Sequence, residues 1–209
     1  YYLHREGNGT ARYVFKVQPK PIKIVESVDV DEGIVRQTMV ESLKDVVGKA
    51  SAFNVIMQPE GPYAVPDEPT SHYLCVMDFD TVSIINTDES DNPPDLVEDI
   101  YNHHASTEGG QKQMRQYRNN LIFLVPETTK ISDAREMAEK MASIKHVQRN
   151  YNDDYDLSGE AEDKLNNMLD GVKGDLSSSL KNAYSNAFYA GKSELQYLSF
   201  QSSGELSSD

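Results

Sequence analysis

Segments of strand-like and helix-like sequence alternate through at least Val147, which predicts an α/β protein with a mixed, largely parallel sheet flanked by helices. Two further observations support that class. Leu121–Val125 (LIFLV) is apolar at every position, as a strand covered on both faces must be. From Leu165 onward, apolar residues recur at i, i+3, i+4 and i+7 for several turns, so a long C-terminal helix is expected, with SELQYLSF as a final strand. The predicted organisation is an α/β domain over 1–150, with the helix and strand of 151–209 packed on the same domain.

Each element has a local reason. The alternating, β-branched and aromatic run TARYVFKV (10–17) predicts a strand, ended by Pro19 and Pro21, which cannot donate to a ladder. Ile34, Val35, Met39, Leu43, Val46 and Val47 give helical spacing across 31–49, and Asp31 and Glu32 suit the positive end of that helix. FNVIM (53–57) reads as a strand. The proline-rich 58–70 segment reads as an irregular surface loop. HYLCVMDFDTVSII supplies a strand that breaks near Asp78, with a turn or short strand after it. TDESDNPPD reads as a loop that places Pro94 in the first turn of a helix carrying Leu96, Val97, Ile100 and Tyr101. Ser132 is the expected N-cap of the next helix, whose buried stripe is Ala134, Met137, Ala138, Met141 and Ile144. A polar link, QRNYNDDYDLSGEAED, then leads to the long helix over 165–189. Gly171 and Gly174 suggest a kink in it, Gly191 is its expected stop, and the Ser-rich end reads as frayed.

The composition narrows the function. Among 209 residues, 34 acidic against 20 basic side chains leave a net charge of −14. Such a surface repels phosphate backbones, which argues against nucleic acid as a partner. It suits either a basic partner or adaptation to high salt, where the charges are screened. No apolar stretch approaches the roughly 20 residues a membrane helix needs, so no membrane association is expected and the location read is cytoplasmic. Cys75 is the lone cysteine and lies in an apolar run, which excludes an internal disulfide and suggests an inert buried thiol. The chain opens at Tyr1 on a strand-like segment without a methionine, as an excised piece of a longer protein would.

Chemistry-bearing residues are few. The strand–loop–helix of 121–141 has the layout of a phosphate loop but not its glycines. Its connection, Pro126-Glu127-Thr128-Thr129-Lys130-Ile131, puts a glutamate where phosphate would lie. YLCVMDFD resembles a magnesium-binding Walker B strand, with Phe79 in place of the usual second acid; Asp78 and Asp80 are the candidate metal ligands. His103 and His104 are adjacent, and on a helix they could not face one ligand. No Ser-His-Asp grouping or G-x-S-x-G elbow is evident. The strongest candidate is GGQKQMRQYRN, in which Lys112, Arg115 and Arg118 concentrate positive charge after Gly109-Gly110. There, arginine could take a neighbour's carboxylate or a phosphate bidentately, or could salt-bridge within the chain.

At these residues a family resemblance enters. GGQKQMRQYRNNLIFLVPE resembles the R-x-[YF]-R-N-x-L-[VI]-F-L-x-P-[DE] segment of large AAA+ ATPases of unknown function. These include the phage-growth-limitation Y-type proteins of bacterial and archaeal defence loci. ARYVFKVQPKP and LKNAYSNAFYAGKSELQYLSF resemble two further segments of that family, in the same order. A tryptophan common in the family after the strand–helix unit is missing from MASIKHV. The resemblance implies a region C-terminal to the ATPase core, without the Walker motifs. ATP and magnesium would then be bound by the parent and no cofactor by this piece, with the remainder of the parent as partner, or a second copy in a homo-oligomer. It also implies that Arg115, Arg118 and Asn119, with Lys112 nearby, contact the ATPase core or its nucleotide.

Overall fold

The computed structural model describes residues 2–6, 12–16, 20–48, 52–85, 92–150, 159–192 and 194–200. Residues 87–91 of the loop at 87–95, residues 151–158 of the polar link at 148–163, and the Ser-rich end at 201–209 lie outside the described residues. The chain divides into two compact units, Tyr1–Thr38 with Met137–Asp175, and Met39–Glu136 with Leu176–Asp209.

The first unit contains the antiparallel pair β1 (Tyr2–Glu6) and β2 (Arg12–Lys16), in register Tyr2 to Lys16, and the short helix α1 (Pro21–Val25). It also holds the first residues of α2 (Glu32–Val47), the C-terminal part of α4 (Thr128–Arg149) and most of α5 (Gly159–Ala183). Here Val35, Ala138, Met141, Ile144, Val147, Leu165 and Val172 are buried, whereas Ile34, expected on the buried face of α2, is 51 % exposed. Gln148 Nε2 donates to Asn166 Oδ1 at 2.8 Å, tying α4 to α5.

The second unit is built on a five-stranded sheet of order β3-β4-β7-β8-β9. Strands β3 (Asn54–Met57), β4 (Tyr73–Val76) and β7 (Leu121–Val125) are parallel, while β8 (Asn186–Ala190) and β9 (Leu195–Ser199) add on antiparallel. The sheet is therefore mixed and parallel in its first three strands. β7 is central, as its double-sided apolarity predicts. The chain crosses from β4 to β7 through α3 (Asp95–Asn102) and a small hairpin of β5 (His103–His104) and β6 (Gln113–Met114). Val97, Ile100 and Tyr101 of α3 pack with Tyr73, Cys75, Leu121, Phe123 and Phe188 in one core. Pro94, with φ −56°, stands at the start of α3.

The structure departs from the sequence reading in several places. The long helix ends at Ala183 rather than Tyr189. Ala187 and Phe188 continue its apolar spacing but lie on β8, where pairing with β7 outweighs helical periodicity. Gly171 and Gly174 lie inside an unbroken α5, and Gly191 turns β8 into β9, its N–H donating to Glu194 O. Helix α4 begins at Thr128, four residues before Ser132, whose hydroxyl donates back to Thr129 O instead of capping. The 58–70 segment is partly interior: Val65 is 1 % exposed, and Pro62–Ala64 forms a 3₁₀ turn. His103 and His104 sit on β5, not on a helix.

Candidate functional site

The basic motif lies where α3, the β5–β6 hairpin and the 65–68 loop meet. The hairpin needs a tight reversal, and Gly109, with φ +67°, supplies a backbone conformation that side chains disfavour. The return brings Arg115 back beneath α3, and its N–H donates to Asn102 O at 2.9 Å.

The Arg115 side chain is fully buried. Its Nε donates to Ile100 O at 2.8 Å and His103 O at 3.3 Å, Nη1 to Pro66 O at 2.7 Å, and Nη2 to Val65 O at 3.0 Å. Asp67, its carboxylate 3.9 Å from Nη1, accepts the N–H groups of Gln116 and Tyr117 at 2.8 and 2.9 Å. Burial pulls the guanidinium below its ordinary pKa, and the Asp67 carboxylate opposes that. The fork geometry of arginine lets one side chain bridge two separate backbone segments, 65–66 and 100–103. Arg115 is thus a structural pin, directed inward and away from any neighbour.

Lys112 is also committed, its Nζ lying 2.7 and 2.9 Å from the two oxygens of Asp99. His103 Nδ1 lies 2.9 Å from the same carboxylate, so the two halves of the hairpin share one acid. Burial would raise the Asp99 pKa, but the bonds from Lys112 and His103 outweigh it and hold the carboxyl below its usual value.

Arg118 and Asn119 differ. Both lie in a 3₁₀ turn, Arg118–Asn120, just before β7, and Asn119 is exposed. Arg118 is half-buried, its guanidinium carbon 5.5 Å from the centre of the Tyr101 ring and its Nε 3.3 Å from Arg115 O. It lines an open cleft of about 810 Å³ with Glu98 and Tyr101 of α3, Phe188 of β8, and Glu194 and Tyr197 at β9. That volume falls within the range of ligand pockets, and the lining mixes aromatic faces with charges of both signs. Sequence reasoning missed Asp67, Glu98, Glu194 and Tyr197 as members of this region. Asp67 lies about fifty positions from its partners, and no local pattern signals a pairing at that separation.

The carboxylates after β4 serve a turn. Asp78 Oδ1 accepts the Asp80 N–H at 2.9 Å, and Asp80 Oδ1 pairs with Arg135 Nη2 at 2.7 Å. Arg135 also lies 6.0 Å from the centre of the Phe79 ring, and Phe79 is buried. Among the described residues, no group of three or more His, Cys, Asp or Glu could hold a metal ion. At the β7–α4 junction, the Glu127 carboxylate accepts Thr129 Oγ1 at 2.7 Å and pairs with Lys130 at 2.8 Å. Burial would raise its pKa; the bonds from Lys130 and Thr129 outweigh that and lower it. The start of α4 thus already carries an anion of its own. Among the described residues, no helix is long and apolar enough to cross a membrane.

These features define an α/β unit with a mixed sheet and a polar cleft beside its antiparallel edge. No protein-family model matches the chain, and neither a curated protein nor a solved structure matches it.

Proposed function

We propose that this chain is a non-catalytic accessory domain of a larger AAA+-type ATPase of phage-defence type, coupling the state of the ATPase to assembly or partner binding. The observation that carries the reading is the division of labour within the basic motif. Lys112 and Arg115 are used up inside the fold, whereas Arg118 and Asn119 stand at an open cleft and the surface. A guanidinium stacked on a tyrosine and reachable from outside suits a carboxylate or phosphate on the remainder of the parent. ATP and magnesium belong to that remainder.

The test uses the full-length parent. Arg118→Ala should leave the domain folded and lower ATP turnover, and Asn119→Ala should do so less. Turnover equal to wild type in the Arg118→Ala protein would remove the coupling role. Arg115→Ala is unsuitable as this test, because it removes the pin and with it the local fold.

A further inference from the structure

The two edges of the five-stranded sheet differ in what they leave open. β3 is four residues long and ends at Met57, and the next residue, Gln58, has a φ of +51° that turns the chain before Pro59. β9 is five residues long, fully paired with β8 in regular register, and contains no charged residue, proline or glycine. Folded proteins usually shield such an edge with lysine, proline or a bulge. β9 has none of these, and Leu198 and the following Phe200 are 44 % and 51 % exposed.

The cleft lies along this same strand. Leu195 and Tyr197 of β9 line it on the face that packs against the core, Gln196 lines it as well, and Leu198 lies outside the lining and is exposed. Glu98 on α3 and Glu194 ahead of β9 also line it, and neither carboxylate has an ion-pair partner among the described residues. Arg118, the cation in this lining, rests on Tyr101.

We infer that β9 receives an extended segment of another polypeptide as a sixth strand, with basic side chains entering the cleft between Glu98 and Glu194. Backbone pairing would supply the affinity, and side chains at alternate positions the selectivity. The alternate side chains on the opposite face would be aliphatic, against Leu198. A basic segment is also the charge complement of a chain of net charge −14, which steers it inward. This inference rests on the edge and the two glutamates and does not require an ATPase parent.

The 209-residue chain would be titrated, at ~0.15 M salt, with a fluorescein-labelled Lys-Val-Lys-Val-Lys-Val peptide, following anisotropy. Saturable one-to-one binding is expected, weakened about tenfold in the Glu98→Gln/Glu194→Gln protein. Of two peptides N-methylated at alternate residues in opposite phases, with charge unchanged, one should lose binding. Equal binding of both methylated peptides would mean simple adhesion of cations to an acidic surface and would overturn the proposal. So would tighter binding of a Glu-Val hexapeptide, which would make Arg118 the selector. Sedimentation of the chain as a dimer that Leu198→Lys converts to monomer would make a second copy the occupant, again overturning it.

Discussion

Around Arg115, the guanidinium, the Asp67 carboxylate and four backbone carbonyls satisfy one another out of water. Three residues later, the Arg118 guanidinium has the Arg115 carbonyl and the face of Tyr101, in an open cleft. The two residues have the same side chain and sit in one motif. What separates them is desolvation: a buried charge is tolerable only with every donor occupied, whereas a half-exposed one is completed by water. The first arginine therefore holds loops in place, and the second stays half-buried at the cleft.

The comparison breaks most visibly at Arg115. Arg115→Ala should cost about 3–5 kcal/mol in urea unfolding, because Asp67 and the carbonyls lose their partner. Arg115→Lys should recover little of it, since an ammonium lacks the fork that reaches both segments. Cys75 gives an independent readout. Burial pushes its thiol up to about 12, so it should resist thiol reagents in the native protein and label faster in Arg115→Ala. A loss below about 1 kcal/mol would show that the pin is dispensable.

Acid tests the intermediate layer, the Asp99 hub of the hairpin. Its folded pKa lies below the ordinary 3.8, so its contribution is fully present above that value and is lost as pH falls through the lower folded value. Hydrogen exchange at Gln113 and Met114 should therefore rise on acidification below about pH 4. Asp99→Asn should remove that dependence at a cost of about 1 kcal/mol. Unchanged pH dependence in the variant would assign the effect to another carboxylate.

The smallest effect is expected at Arg118. Arg118→Ala should change stability by no more than about 1 kcal/mol, the worth of an exposed cation–π contact. Thermal melts of the Arg115 and Arg118 variants side by side measure the contrast directly. Comparable losses would erase the distinction between the buried pin and the arginine at the cleft.

Much of the architecture is local and could be read along the chain. Leu121–Val125 is apolar throughout because both faces of a central strand are covered, and the spacing of Val35, Met39 and Leu43 reports a helix face. Local periodicity failed where two structures fit one pattern. Ala187 and Phe188 match the helical stripe of α5, yet the strand pairing of Phe123 with Phe188 decides their state. Ser132 has cap chemistry, but α4 starts at Thr128, beside Ser83 and Ile84, whose side-chain and backbone oxygens meet the Thr128 hydroxyl.

The sequence by itself determined the α/β class, the central strand, the charge of the surface and the motif where positive charge collects. Each depends on residues close together or on simple sums. Only the tertiary structure decided which arginine faces inward, because that rests on Val65, Pro66 and Asp67, about fifty positions away, closing over Arg115. It likewise decided that β3 and β9, among the described residues, are the two edges of the sheet. Strand order is a property of pairing between distant segments, and no window of sequence contains it.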